Sequence, residues 1–319
     1  DPKGIFGTTL GLSEKFGNER VLDTPTSENG MTGIALGASM MGMRPIITHQ
    51  RVEFSLLAIE QIVNQAAKWH YMTGGKLCAP LVIRMIIGRG WGQGPQHSQS
   101  LESWFAHIPG LKVVLPSTPY DAKGLLISSI KDNNPVIFME HRWLHNQKEE
   151  VQEGDFRIPI GKANVIIEGT DVSVISMSYL TLEAQRAIKF LEKEYSISCE
   201  LVDLRTISPL DWETVYATVR KTGRVIVLDT GATTGSVAGE IVARIAMDLF
   251  SNLKTAPRRI ASPDVPTPSS YALTKNFYPE SHTIAEQIGQ LMNISVDTST
   301  LSNSSQPHDV PGEWFKGPF

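Results

Sequence analysis

The 319-residue chain is predicted to be an α/β protein made of two three-layer α/β/α units. Two observations predict this. Short apolar runs recur along the chain, each followed by a segment with helical spacing, which is the pattern that parallel strands and their crossovers impose. The pattern then stops in a charged, glycine-containing connector at 147–156 and starts again. With 41% hydrophobic residues the chain can supply a core to each unit.

The elements follow in order. A helix is expected after Glu28, in the small-residue run from Gly33 to Gly42. Each interior glycine there costs about 1 kcal/mol relative to alanine, so close packing against a neighbour is implied. Residues 44–48 form a short buried strand, and 54–71 place Leu57, Ile62 and Ala66 at helical spacing. The runs 81–83, 112–115 and 136–139 are further strands, with a crossover helix at 120–130. In the second unit, strands are expected at 172–176, 199–203 and 224–228, and helices at 181–194, 211–221 and 239–249. The first unit thus covers residues 1–150 and the second 151–293. From 294 to 319 the chain is rich in Ser, Thr and Asn and ends in Trp314, Phe315 and Phe319, which reads as a flexible or docking tail.

Composition excludes several classes. A net charge of -4 without a basic block argues against nucleic acid or an anionic membrane as partner. Cys78 and Cys199 stand far apart, which suggests neither a disulfide framework nor a thiolate metal site, and favours a reducing compartment. His49, His70, His107, His141 and His145 show no metal-ligand spacing. No apolar run reaches membrane length, and the start Asp1-Pro2-Lys3-Gly4 has no secretory pattern.

Chemistry is concentrated in a few places. Ser27-Glu28-Asn29-Gly30 puts a carboxylate where a loop becomes a helix, a position that also suits the helix dipole. His97 lies in the polar run Gly94-Pro95-Gln96-His97-Ser98-Gln99, where a side chain that titrates near neutrality can handle protons. Arg51 can bind a carboxylate or phosphate through its planar fork, or can pair with Glu53. The run from Gly231 to Gly239 precedes a helix and weakly suggests an anion site.

Taken with Glu53-Phe54-Ser55, with residues 115–124 and with Val202-Asp203-Leu204-Arg205-Thr206-Ile207-Ser208-Pro209, these motifs occur in an order that resembles one family: the beta subunits of thiamine-diphosphate-dependent 2-oxo acid dehydrogenases, of the pyruvate and acetoin dehydrogenase type. The resemblance extends to about Asn293. It implies a pyrimidine-binding domain followed by a transketolase C-terminal-like domain. It also implies an alpha2-beta2 heterotetramer, in which the alpha subunit holds magnesium and the diphosphate and a lipoyl acyltransferase takes up the acyl group. Glu28 would contact the aminopyrimidine of thiamine diphosphate and act in catalysis. Phe54 and Gln50 would face the cofactor, and His97 would meet the substrate or the acyl intermediate. Arg51, in a stretch that departs from the family's apolar pattern, would bind substrate. A structural potassium would be held at positions matching Leu81, Ser129, Asp132 and Asn134. An initial helix and strand usual in the family are not in this sequence. The compartment implied is the cytoplasm or the mitochondrial matrix. Two other readings remain open: a split transketolase-like enzyme acting on a sugar phosphate or another acyl acceptor, and a non-catalytic scaffold.

Overall fold

The computed structural model describes residues 7–88, 92–145 and 147–302. Trp314, Phe315 and Phe319 lie outside them. The first unit begins with a short helix α1 (Leu12–Phe16), then α2 (Glu28–Met40), β1 (Ile46–His49), α3 (Val52–Ser55) and α4 (Ala67–Met72). It continues with β2 (Val82–Ile87), α5 (Glu102–Ala106), β3 (Lys112–Val114), α6 (Pro119–Lys131) and β4 (Val136–His141). The second contains β5 (Asn164–Ile167), β6 (Val172–Ser176), α7 (Leu180–Tyr195), β7 (Cys199–Asp203), β8 (Thr206–Ser208) and α8 (Trp212–Thr222). It ends with β9 (Val225–Ala232), α9 (Val237–Asp248), β10 (Arg258–Ser262), α10 (Tyr271–Thr274), α11 (Ser281–Leu291) and α12 (Ser299–Ser302).

Two five-stranded sheets form, in the orders β1-β2-β4-β3-β8 and β10-β9-β6-β7-β5. Every residue of β2 and of β6 is buried, as expected of central parallel strands covered on both faces. The helices read from periodicity are in place and begin where local chemistry allows. Thr118 accepts from the Asp121 N–H to cap α6, with Pro119 in the first turn. Asp211 accepts from the Thr214 N–H to cap α8, which stops at Gly223.

Three features differ from the expectation. The helix expected at 54–71 is interrupted: α3 passes through a 3-10 turn (Leu56–Ala58) and a π segment (Glu60–Ala66) before α4. Of the α2 glycines, Gly33 lies near a neighbour, its added Cβ falling 3.4 Å from Gln61 Oε1 of that π segment, whereas a Cβ on Gly37 would meet nothing within 4 Å. The connector, read as a link out of the first unit, leads into a packed stretch. Phe156 stacks on Tyr120 at 4.5 Å, and a Cβ on Gly124 would press to 2.7 Å from the Phe156 ring. Finally, β8 is a strand of the second half that completes the first sheet, pairing antiparallel with β3.

That exchange joins the motifs at 115–124 and 202–211 into one structural seam. Leu115 N–H donates to the Arg205 carbonyl at 2.7 Å, and the Arg205 guanidinium pairs with Asp121 at 3.0 Å, both nearly buried. Asp203, fully buried beside Asp121, is pushed up to about 7 mainly by desolvation. At the far end, the chain after α11 folds back: Asp297 N–H donates to the Tyr195 hydroxyl at 2.7 Å and Thr298 donates to Glu286 at 2.8 Å. The part of the tail up to Ser302 is therefore docked on the second unit.

Candidate active site

The polar residues singled out in the first unit gather around β1 and the α3 turn. Glu28 opens α2, after Ser27, and is half-buried. Its carboxylate has no hydrogen-bond partner among the described residues. One helical turn on, the Thr32 hydroxyl lies 3.2 Å from His49 Nε2 at the end of β1, both buried. Burial drives the His49 pKa down to about 4, against a smaller upward pull from Glu28, so the ring is neutral at pH 7. Thr32 and His49 were not among the expected site residues. Their only signal is register: Thr32 stands one turn after Glu28 on α2, and His49 alternates with Ile47 on the buried face of β1.

The chain turns at Gln50, which is half-buried, and Arg51, which precedes α3. Phe54, 38% exposed, sets its ring at 5.6 Å and 67° to the His97 imidazole, an edge-on contact. The structure thus brings Phe54 and His97 together. A cleft of about 350 Å³ runs from this loop to the second unit, lined among others by Ser98, Gln99, Tyr179, Thr230 and Tyr278.

For Arg51 the sequence leaves open substrate binding or pairing with Glu53, and the structure turns the side chain toward Glu53. It is 3% exposed, and its guanidinium is spent inside the protein. Nη2 donates to the Gly88 carbonyl at 2.8 Å, Nη1 donates to Gln93 Oε1, and Nε lies 3.8 Å from Glu53. Glu53 in turn accepts from the Gln99 N–H at 2.8 Å. Desolvation raises the Glu53 pKa and lowers that of Arg51, each partly offset by the other's charge. Arg142 donates to the same Gln93 oxygen at 3.0 Å, and burial with Arg51 nearby lowers its pKa to about 10.

The turn offered for potassium is already supplied with positive charge. Arg44 donates to the Ile130 and Asp132 carbonyls at 2.9 and 2.8 Å, and Lys112 pairs with the Asp132 carboxylate. The remaining Asp132 oxygen accepts from Asn134 N and Nδ2, while the Leu81 and Ser129 carbonyls take the Val136 and Asp132 amides. Each of these carbonyls thus already accepts one hydrogen bond, and no step is routed through an ion here.

The glycine-rich run before α9 has its anion built in. Asp229 Oδ2 accepts from the Ala238 N–H at 2.9 Å and Oδ1 from the Gly231 N–H at 2.8 Å, which satisfies the helix N-terminus from within. Fully buried Glu102, the first residue of α5, faces this group and accepts from the Thr230 hydroxyl at 2.6 Å. Burial raises the pKa of both Glu102 and Asp229, and the Asp229 charge raises Glu102 further, so the pair keeps a proton at pH 7.

The fold and this arrangement define a transketolase-type two-domain protein. The transketolase pyrimidine-binding domain family matches residues 2–147 and the transketolase C-terminal domain family matches 161–284. The split-gene transketolase solved as an inactive beta4 tetramer superposes with a TM-score of 0.73 over 91% of this chain and 89% of that one. At 20% identity it speaks for the fold alone.

Sequence relatives narrow the class. The chain is 46% identical over 282 residues to the acetoin:2,6-dichlorophenolindophenol oxidoreductase subunit beta of Cupriavidus necator, covering 88% of this chain and 83% of the relative. It is 43% identical to the pyruvate dehydrogenase E1 component subunit beta of Bacillus subtilis, over 84% of this chain and 83% of that protein. The 2-oxoisovalerate dehydrogenase subunit beta of the same organism is 42% identical, over 86% and 84%. The chain belongs to the family of 2-oxo acid dehydrogenase E1 beta subunits.

Proposed function

We propose that this chain, with an alpha subunit, decarboxylates a 2-oxo acid using thiamine diphosphate and passes the acyl group to lipoamide on a lipoyl acyltransferase. The observation that carries the reading is the Glu28 carboxylate. It stands at the start of α2 without a hydrogen-bond partner among the described residues, on a helix that packs against the α3 turn bearing Phe54. A half-buried carboxylate on α2 and an exposed aromatic on the α3 turn that packs against it fit the aminopyrimidine end of the cofactor, which needs one acid and one flat apolar surface. When bound, thiamine diphosphate supplies the carbon nucleophile and the electron sink for decarboxylation.

The roles of the chain's own residues follow. Glu28 shares a proton with the aminopyrimidine ring, and closure by a second subunit would dry its surroundings and strengthen that hydrogen bond. Phe54 gives the ring a planar neighbour, and Gln50 offers an amide at the same turn. His97, held edge-on to Phe54, donates to the substrate carboxylate and handles protons during acyl transfer. Neutral His49 keeps positive charge away from Glu28. In this reading residues 1–150 hold the pyrimidine end, residues 151–293 join subunits, and magnesium with the diphosphate belongs to the alpha subunit of an alpha2-beta2 tetramer.

A phosphate-binding role for Arg51 would support a sugar phosphate as substrate, and the bonds of Arg51 to Gly88 and Gln93 support the 2-oxo acid instead. The test is a substrate panel on the complex reconstituted with its alpha subunit, following 2-oxo acids against ketose phosphates with lipoamide as acceptor. Turnover of a 2-oxo acid with acyl-lipoamide formation is expected. Turnover of ketose phosphates alone would overturn the proposal.

A further inference from the structure

Arg51, Glu53 and Phe54, three of four consecutive residues, all reach the same loop. The described part of that loop, Gly88 and residues 92–99, carries His97, and its neck is closed by the Gly88 N–H donating to the Gln99 carbonyl at 2.9 Å. Arg51 holds one side of the neck through the Gly88 carbonyl at 2.8 Å and reaches inside to Gln93. Glu53 holds the other side by accepting from the Gln99 N–H at 2.8 Å. Phe54 meets His97 itself at 5.6 Å. Arg142, at the end of β4, grips the same Gln93 oxygen from outside the turn at 3.0 Å.

Burying two guanidiniums around one amide is costly. Arg51 and Arg142 are 3% and 4% exposed, and each desolvated charge costs several kcal/mol unless its geometry is good. A planar fork with several fixed donors can bridge a backbone carbonyl and a side-chain amide at once, which a lysine ammonium on a flexible stem cannot do as well. Loops of this kind move unless they are tied down, and a misplacement of about 1 Å at a reacting group costs on the order of 100-fold in rate.

We propose that Arg51 and Glu53 form a positioning clamp on the neck of the 88–99 loop, fixing where His97 stands, and that neither residue touches the substrate. The proposal rests on the reading above for what His97 does, whereas the clamp itself concerns the loop alone. Arg51→Leu removes the donors, and Arg51→Lys keeps the charge but not the fork. Both are examined in the complex with its alpha subunit by amide hydrogen exchange, by steady-state kinetics, and in a cycle with His97→Ala.

In Arg51→Leu the Gly88 and Gln99 amides are expected to exchange about tenfold faster while those of β6 and β9 keep the parent rate. The kcat is expected to fall about 100-fold with little change in KM, Arg51→Lys falling between. In the His97→Ala background the same change should cost less than about threefold, because its effect runs through the missing imidazole. Unchanged exchange at the loop neck would overturn the clamp, as would an equal loss of rate with and without His97. A raised KM at constant kcat would show direct substrate binding and also reject it. If Arg51→Leu does not fold, Gln93→Ala removes the shared acceptor from the loop side and is read by the same criteria. If the complex turns over no 2-oxo acid, the assigned reaction fails, and amide exchange still decides the clamp.

Discussion

Glu102→Gln should change how stability depends on pH. In the parent the native pair of Glu102 and Asp229 holds one proton, because burial and the Asp229 charge raise Glu102 from its ordinary 4.5 to about 8. The unfolded chain, with an ordinary carboxyl, holds none once the pH is well above 4.5. The folded state therefore binds more protons, and stability is lost as pH rises from the unfolded pKa through the folded one. One proton is worth about 1.4 kcal/mol per pH unit, so raising the pH from about 6 to about 7.5 should cost the parent roughly 2 kcal/mol through this pair. A glutamine offers Asp229 an amide N–H where the protonated glutamate offers its O–H, and keeps an oxygen for Thr230, with no proton to lose. The assay is urea denaturation of both proteins at the two pH values, read as the change in their difference, so that groups titrating alike in both cancel. The variant should gain about 2 kcal/mol on the parent between them. A difference independent of pH would refute a shared proton at this joint.

Other outcomes follow from the same geometry. Gly88→Ala should destabilise the protein and disturb the loop neck, because Gly88 sits at φ 85° and its added Cβ would fall 1.9 Å from His141 Nε2. Circular dichroism melting with amide exchange at Gln99 would check it. Asp121→Asn breaks the nearly buried pair with Arg205 at the seam between the units and should cost about 3–5 kcal/mol in denaturant titrations. Thr118→Ala removes the cap of α6 and should cost only about 1 kcal/mol in the same measurement.

What was legible in the sequence was what depends on near neighbours. The central strands β2, β4, β6 and β9 are each dominated by Val, Ile, Leu or Met at their start, and α6, α7 and α8 carry both an apolar stripe and end signals, so each declares itself locally. The strand β8 does not. Its three residues pair with β3, nearly a hundred positions earlier, and only that partner makes them a strand. Ile284, Ile288 and Leu291 were a usable helical stripe for α11 that was not read. The interruption at 56–66 gives no sign in the sequence, because the buried Ile62 and Ala66 stand four apart, a spacing an α-helix also buries.

The site divides the same way. Phe54 and His97 were singled out separately and do meet. Arg51 was legible as a residue out of pattern, but not as an internal tie, since its acceptors Gly88 and Gln93 lie about forty residues on. His49 was set aside for lack of metal spacing, and its burial against Thr32 follows only from how α2 crosses β1.

The most direct test of the account is hydrogen–deuterium exchange at the thiazolium carbon of thiamine diphosphate in the reconstituted alpha-beta complex, comparing the parent with Glu28→Gln. If the Glu28 carboxyl works on the aminopyrimidine, the variant should exchange slower by about 10²- to 10⁴-fold while still binding the cofactor. Exchange at the parent rate with the cofactor bound would contradict it.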